Sequence, residues 1–169
     1  KTKLIIIKTE KLSIDKKRDI KSINGGYIIQ NKNLIKISLK NLNCVSNKKA
    51  TKSMLEDLIF SLKVCKHVKS NSIVLAKNKQ TIGIGAGQMS RVDSTKLSLT
   101  KANNKILKKG FVAASDAFFP FTDSLEFLIK NNCKSIIQPR GSINDKKMIE
   151  YVNSHSVSLY FLNYRFFKH

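Results

Sequence analysis

Several residue types that define common protein classes are scarce in this sequence. Tryptophan is absent, proline occurs twice and cysteine three times among 169 residues. The cysteines, Cys44, Cys65 and Cys133, lie far apart, and no Cys-x-x-Cys motif occurs. An odd number of cysteines at these spacings favours neither a disulfide framework nor a zinc site, so we predict no zinc and a reducing, cytoplasmic location.

Long apolar runs are missing too. No segment approaches the roughly 18 consecutive apolar residues that a membrane-spanning helix needs, so no membrane partner is predicted. The chain begins with Lys1-Thr2-Lys3 and shows neither an initiator methionine nor a signal-peptide pattern. We therefore expect it to start inside a longer protein. Its hydrophobic content of 41% suffices for one buried core and a smaller appended unit.

Acidic residues are scarce relative to basic ones. Eleven Asp and Glu oppose 32 Lys and Arg, which gives a net charge of +21. Such a charge is typical of nucleic-acid-binding proteins. However, the lysines are scattered over every segment, and Lys, Asn and Ile, all abundant here, share A/T-rich codons. We therefore predict no nucleic-acid partner, while a basic nucleic-acid-binding module stays open as the alternative.

Hydrophobic periodicity predicts an α/β fold with a layered, mixed and partly parallel sheet and flanking helices. Helices are predicted at residues 51–67, 93–107, about 123–132 and 144–154. Strands are predicted at residues 4–7, 27–29, 34–39, 73–76, 81–87, 111–114, 135–138 and 157–162. The first helix is expected to begin at a Thr51 or Ser53 cap.

The stretch Thr81–Gly87 alternates as a strand does, but glycine occupies every second position. Gly83, Gly85 and Gly87 leave one face without side chains, which indicates a bulge, a crowded packing contact or a ligand against the main chain. Gln88 stands where the dinucleotide-binding fingerprint requires its third glycine. That fingerprint is therefore excluded.

Candidate binding residues lie next to the ends of predicted strands, where ligands bind in such sheets. Asn71 precedes one strand, Arg91 follows the glycine-rich strand, residues 118–123 follow another, and Arg165 follows the last. For the two arginines, the alternatives are a solvated surface charge and a contact with a bound anion.

Three phenylalanines surround Pro120 in this region, namely Phe118, Phe119 and Phe121. Most aromatic side chains pack in protein cores, whereas a ring presented at a helix start can stack on a planar heterocycle. Both interpretations remain open from the sequence.

A set of longer motifs resembles one enzyme family. The segments are INGGYIIQN, KSNSIVLAKN, IGIGAGQMSRVDSTKL, ASDAFFPFTDSLEFL, IIQP followed by GSINDKKMIEYV, and NYRFFKH. From about Arg18 to His169 they resemble the carboxy-terminal part of proteins that fuse aminoimidazole carboxamide ribonucleotide (AICAR) formyltransferase to inosine monophosphate (IMP) cyclohydrolase. The resemblance implies a cytidine-deaminase-like unit of the formyltransferase domain at residues 51–169. Residues 1–50 would be the end of the preceding formyltransferase unit with connecting strands.

The resemblance also implies an activity, namely transfer of a formyl group from 10-formyltetrahydrofolate to AICAR, in a homodimer with shared sites. A non-catalytic remnant of such an enzyme is the alternative. The residues that match the AICAR pocket are Asn71, Arg91, Phe118 and Arg165, with the Phe118 ring stacking on the imidazole. Those expected near the folate are Phe119, Pro120, Phe121 and Asp123. Those that match positions around a bound monovalent cation, K⁺, are Ser70, Ser72 and Asp116.

Catalysis in this family depends on a lysine–histidine pair. Lys66-His67 has the right composition but the wrong register, because it precedes the Ser70-Asn71 motif at a helix end. We therefore expect no catalytic residue in this chain, a catalytic pair upstream of Lys1, and no activity from the chain alone. Arg140 stands where the family usually has a small residue, so the contacts of its loop are expected to differ.

Overall fold

The structure, a computed structural model, describes residues 18–168. The strand predicted at residues 4–7 lies outside this range. The described residues belong to two compact units, one before Ile37 and one from Ile37 onward. Among the helices of the described residues, none is long and apolar enough to cross a membrane.

The first unit contains a two-stranded antiparallel hairpin of β1 (Arg18–Ile23) and β2 (Gly26–Asn31). Its turn uses Gly25, whose φ of 81° lies in the left-handed region that glycine adopts readily. The strand predicted at residues 34–39 is wrong, since only a 3₁₀ turn at Leu39–Asn41 forms there. Apolar alternation is present in that segment, but the Ile35 N–H donates to the side chain of Asn33 at 3.2 Å, a local bond that competes with strand pairing.

The second unit is a six-stranded mixed sheet with helices packed against it, which confirms the predicted fold class. Its strands are β3 (Asn43–Cys44), β4 (Ile73–Lys77), β5 (Gln80–Gly85), β6 (Phe111–Ser115), β7 (Cys133–Pro139) and β8 (Ser158–Leu162). Its helices are α1 (Lys52–Cys65), α2 (Arg91–Lys101), α3 (Asn104–Leu107), α4 (Asp123–Lys130) and α5 (Asp145–Ser154). The strand order is β3-β8-β7-β6-β4-β5, with β6, β7 and β8 parallel and the other pairings antiparallel.

The helix predicted at residues 93–107 starts earlier than expected and is broken. Ser90 is the N-cap of α2, and its hydroxyl accepts a hydrogen bond from the Asp93 N–H at 3.1 Å. The chain leaves the helix at Ala102, which is extended and buried, and Asn103 then caps α3 with its side chain. Burial of Ala102 near the sheet and the asparagine cap together end one helix and begin the next.

The core lies on both faces of the central strands. Every residue of β6 is buried, and β7 is buried apart from Lys134, as expected for parallel strands covered by helices on both sides. The hydrophobic core includes the fully buried side chains of Ile73, Leu75, Leu125, Leu128, Ile136 and Leu159. This core carries the loops that form the site described below.

The glycines of β5 accommodate helix α2. A Cβ atom on Gly83 would overlap the carbonyl oxygen of Ser98, and one on Gly85 would overlap that of Ser94. Of the three explanations for the bare strand face, the crowded packing contact is therefore correct at these two positions. Gly87 differs, since its φ is 64° and it needs glycine for backbone conformation.

The cysteines offer a test of core packing. Burial raises the pKa of the Cys65 and Cys133 thiols to about 12, whereas Cys44 is only half-buried. Because thiolates are the reactive form, iodoacetamide at about pH 8 is expected to label Cys44 alone in the folded protein. Peptide mass spectrometry before and after unfolding measures this. Labelling of Cys65 or Cys133 in the native state at the rate of a free thiol would contradict the described core.

Candidate functional site

A cleft of about 280 Å³ opens at one edge of the six-stranded sheet. Its described lining residues are Asn71, Met89, Ser90, Arg91, Ala117, Phe118, Pro120, Arg165 and Phe167. All four residues predicted to line the AICAR pocket, Asn71, Arg91, Phe118 and Arg165, are thus brought to one place from positions spread over 95 residues of sequence.

The sheet topology explains this convergence. Strands β6 and β8 run parallel, so Phe118 and Arg165, each three residues past its strand, emerge at the same edge. Strand β4 runs antiparallel to β6, and its amino end therefore carries Asn71 to that edge. Arg91 reaches it as the first residue of α2, which the glycines of β5 allow to lie close to the sheet.

Arg91 donates four hydrogen bonds to other described residues. It is buried, and its Nε donates to the main-chain oxygen of Phe118 at 3.1 Å. One terminal nitrogen, Nη2, donates to Oδ1 of Asn71 at 3.0 Å. The other, Nη1, donates to Oγ of Ser115 at 3.4 Å and to Oδ1 of Asp116 at 2.5 Å. A single guanidinium therefore joins the residues preceding β4 to those following β6.

Asn71 links two further segments. Its amide nitrogen donates to the main-chain oxygens of Gln88 and Met89 at 3.0 and 3.1 Å. Its own main-chain oxygen accepts from the Ser94 hydroxyl at 2.7 Å. Both the oxygen and the nitrogen of the Asn71 side-chain amide are thus hydrogen-bonded, which fixes its orientation. The same bonds hold the loop before α2 against the start of β4.

Phe118 and Arg165 are in contact across the cleft. The guanidinium carbon of Arg165 lies 4.6 Å from the centroid of the Phe118 ring, within the range of a cation–π interaction. Phe118 is half-buried, whereas Arg165 is exposed. A partly exposed ring beside a cation suits a ligand that combines a planar group with an anion.

The other aromatic residues of this loop have different environments. Phe119 is fully buried in the hydrophobic core, and its N–H donates to Oε1 of Gln138 at 2.9 Å. Phe121 is 64% exposed, and Pro120 lies at the rim of the cleft. The question left open by the sequence is thus answered separately for each ring: core for Phe119, cleft for Phe118 and surface for Phe121.

Asp123 is the first residue of α4 and is half-buried. Its carboxylate accepts a hydrogen bond from the Ser124 N–H at 2.6 Å, in the first turn of the helix, where negative charge is favourable. It is not among the described lining residues of the cleft. The side chain nevertheless lies in the same loop-to-helix segment as Pro120 and Phe121.

The three residues predicted around a monovalent cation have unequal surroundings. The Ser70 hydroxyl accepts from the Lys168 N–H at 3.0 Å, and the Ser72 hydroxyl lies 3.1 Å from the Cys65 sulfur. Asp116 is fully buried, and its Oδ2 has no hydrogen-bond partner among the described residues. A buried, unpartnered carboxylate oxygen is a suitable ligand for a hard cation. Within residues 18–168, no group of three or more His, Cys, Asp or Glu side chains is arranged to hold a metal ion.

Lys66 and His67 lie at the carboxyl end of α1. Lys66 is its C-cap, and the main-chain oxygen of His67 accepts from Nζ of Lys168 at 3.4 Å. Neither belongs to the described lining of the cleft. Arg140 is exposed in the loop after β7, and a Cβ on the neighbouring Gly141 would lie 3.8 Å from the Arg165 guanidinium. The Arg140 loop is therefore adjacent to the cleft.

Four lining residues are not among the predicted site residues, namely Met89, Ser90, Ala117 and Phe167. Each lies within two positions of a predicted residue, Arg91, Phe118 or Arg165. Proximity along the chain is the one signal that could have indicated them, because a serine cap and an exposed methionine are common outside binding sites.

Comparison with known proteins identifies similar sequences. A family model described as the AICARFT/IMPCHase bienzyme matches residues 1–101. The bifunctional purine biosynthesis protein PurH of Thermoanaerobacter sp. (strain X514) is 46% identical over 155 residues, which cover 92% of this chain and 30% of that protein. The PurH of Aquifex aeolicus (strain VF5) is 43% identical over 152 residues, covering 89% and 30%. That of Buchnera aphidicola subsp. Schizaphis graminum (strain Sg) is 48% identical over 153 residues, covering 89% and 29%. The chain thus spans about 30% of the length of these relatives.

Proposed function

The chain belongs to the AICARFT/IMPCHase bienzyme family, and on that basis we propose that it is part of a bifunctional enzyme of purine biosynthesis. Its contribution is to the transfer of a formyl group from 10-formyltetrahydrofolate to AICAR, and the complete protein would also act as IMP cyclohydrolase. The observation that carries the proposal is the convergence of Asn71, Arg91, Phe118 and Arg165 in one cleft. Family membership does not favour the nucleic-acid-binding alternative.

In this proposal, the cleft holds AICAR by its two chemically distinct parts. The imidazole ring stacks on Phe118, which is partly exposed at the cleft. The phosphate or another polar group of the nucleotide meets Arg165, whose guanidinium already lies against the same ring. The side-chain oxygen of Asn71 and a remaining donor of Arg91 complete the polar contacts.

Folate is proposed to bind beside this position, next to the turn before α4. Phe121 offers an exposed ring, Pro120 lies at the rim of the cleft, and Asp123 supplies a carboxylate at the helix start. Phe119 would contribute indirectly, because its fully buried ring fixes the path of the turn that contacts the folate. In this proposal the AICAR ring and the folate would bind to neighbouring parts of one loop.

A monovalent cation, K⁺, is proposed at Asp116 with Ser70 and Ser72. The support is the buried Oδ2 of Asp116, which has no hydrogen-bond partner within residues 18–168. A cation bound there would offset the carboxylate charge at the point where the cleft loops meet. The two serine hydroxyls already contact Lys168 and Cys65, so each would have to turn or share its oxygen to coordinate the ion.

The proton-transfer groups of the reaction are proposed to come from outside this chain. Asn71, Ser90 and two arginines are the polar members of the described lining, and none of them is a suitable general base at neutral pH. A lysine–histidine pair from the preceding formyltransferase unit would supply this function, in a cytoplasmic homodimer with shared sites. In this scheme residues 51–169 form the carboxy-terminal unit, to whose sheet residues 1–50 contribute β3, and the rest of residues 1–50 connects it to the preceding unit.

The stacking role of Phe118 is directly testable. In the complete protein, Phe118→Ala is expected to weaken AICAR binding by roughly 1 to 3 kcal/mol, the range for losing one base–aromatic stack. Calorimetric titration with AICAR measures the change. Phe121→Ala is the matched control, because it removes an exposed ring from the same loop and should leave AICAR affinity unchanged while raising the KM for folate. Unchanged AICAR affinity with a lowered melting temperature in Phe118→Ala would mean that Phe118 is a packing residue.

A further inference from the structure

Arg91 donates most of its hydrogen bonds to the protein itself. A guanidinium has five N–H groups. Four of them are accounted for by the Phe118 carbonyl, the Ser115 hydroxyl, the Asp116 carboxylate and the Asn71 amide oxygen. One Nη2 hydrogen is therefore left for a ligand. A single N–H cannot form the two-pronged contact by which arginine grips phosphates and carboxylates.

The groups that Arg91 holds are parts of the cleft. Its Nε fixes the main chain of Phe118, which carries the ring that lines the cleft. Its Nη2 fixes the amide oxygen of Asn71, whose nitrogen is held by Gln88 and Met89. The orientation of the Arg91 guanidinium therefore sets the positions of two other lining residues.

Asp116 in turn fixes Arg91. The Arg91 side chain is 8% exposed and that of Asp116 is 0% exposed, so the two charges face each other away from water. Charge-assisted bonds of this kind are stronger and more directional than neutral ones. Asp116 is anchored by its own main chain, since its N–H donates to the Ser72 oxygen at 3.4 Å and its oxygen accepts from the Phe166 N–H at 2.8 Å.

We propose that Asp116 is a positioning residue that acts through Arg91 to place the Phe118 ring and the Asn71 amide for the ligand. This role uses Oδ1 of Asp116 and is separate from any cation at Oδ2. The inference rests on the proposed function for the identity of the ligand, AICAR, but not for the geometry of the network.

A double-mutant cycle in the complete protein tests the coupling. Asp116→Asn keeps the shape of the side chain and removes its charge. Arg91→Lys keeps the charge but cannot bond Phe118, Asn71 and Asp116 together. Each change is expected to weaken AICAR binding roughly 10-fold, the equivalent of one charge-assisted hydrogen bond, and the double variant to bind no worse than the weaker single variant. A loss of roughly 100-fold in the double variant, the product of two independent effects, would overturn the proposal.

Two controls complete the affinity measurement. Glu56→Gln removes a carboxylate whose ion pair with Lys79 lies on the surface, and it should leave AICAR affinity unchanged. Should Asp116→Asn fail to fold, the cycle is repeated with Asp116→Glu, for which the same non-additivity with Arg91→Lys is expected and additivity again contradicts the role.

A structural readout separates this inference from the proposed function. In a crystal structure of the ligand-free Asp116→Asn protein, or of Asp116→Glu if the former does not fold, the Arg91 guanidinium is expected to rotate. Its Nε would then leave hydrogen-bond range of the Phe118 oxygen, from which it now lies 3.1 Å away. An unchanged Arg91 in that structure would overturn the positioning role. Failure of the wild-type protein to bind AICAR would instead overturn the proposed function, and the rotation of Arg91 would still decide the inference.

Discussion

Replacing Gly85 with alanine is expected to lower the free energy of unfolding of the second unit by about 3 kcal/mol or more. The new Cβ would overlap the carbonyl oxygen of Ser94, which belongs to the backbone of α2 and cannot rotate away as a side chain can. Relief requires α2 to move off β5 as a whole. The loss exceeds the roughly 0.4 to 1 kcal/mol that alanine gains over glycine by restricting the unfolded chain. Urea unfolding followed by circular dichroism measures the change.

Gly26→Ala is the control, since no atom lies within 4 Å of the position that its Cβ would take. Its effect on stability should stay within about 0.5 kcal/mol. Movement of α2 would also displace Arg91 at its first position, so Gly85→Ala should weaken AICAR binding even at temperatures where the protein is folded. Unchanged stability and unchanged binding in Gly85→Ala would show that α2 does not lie against β5 as described.

The packing of the glycine-rich strand β5 could be predicted from the sequence only in part. The alternation correctly indicates a strand with one bare face and a close neighbour, because missing side chains are a local property. The neighbour itself, the backbone of α2, follows from packing between elements and could not be identified from the strand alone. The same limitation explains the break of the predicted 93–107 helix at Ala102, whose burial depends on the sheet beside it.

The candidate site was also only partly predictable from the sequence. Positions next to strand ends were predictable, and Asn71, Arg91, Phe118 and Arg165 do meet at one sheet edge. The different environments of Phe118, Phe119 and Phe121 were not predictable, because neighbouring residues in a turn point in directions that the surrounding elements decide. The ion pair of Arg91 with Asp116 was missed for the same reason, since a separation of 25 residues carries no local pattern.

At residues 34–39 the sequence predicted a strand that the structure does not contain. The apolar residues of this segment alternate as in a strand, but no strand forms there, and the Ile35 N–H donates instead to Oδ1 of Asn33 at 3.2 Å. In contrast, the hairpin of β1 and β2 forms where Asn24-Gly25 supplies a turn that brings two strands together. Periodicity identified β2 and five strands of the second unit, but it missed β1, on the other side of the same turn, and the two-residue strand β3.

The second large effect concerns catalysis by the chain on its own. Residues 1–169, assayed with AICAR and 10-formyltetrahydrofolate, are expected to turn over at least about 10³-fold more slowly than the complete protein. The amine of AICAR is conjugated with its ring and is a weak nucleophile, so a base must remove its proton while a cation stabilises the oxyanion at the formyl carbon. The described cleft can position a nucleotide, but its lining supplies no such base.

Three measurements test whether the chain alone lacks the proton-transfer groups. Circular dichroism and AICAR titration first establish that the chain is folded and binds the nucleotide. The preceding formyltransferase unit of a complete protein, added in trans, is then expected to restore turnover, because it would supply the missing lysine–histidine pair. Finally, Lys66→Ala and His67→Ala should change the residual rate by less than about twofold, since neither residue lines the cleft. Robust turnover by residues 1–169 that disappears on changing Lys66 or His67 would mean that the register argument is wrong and that the pair at the end of α1 performs the proton transfer.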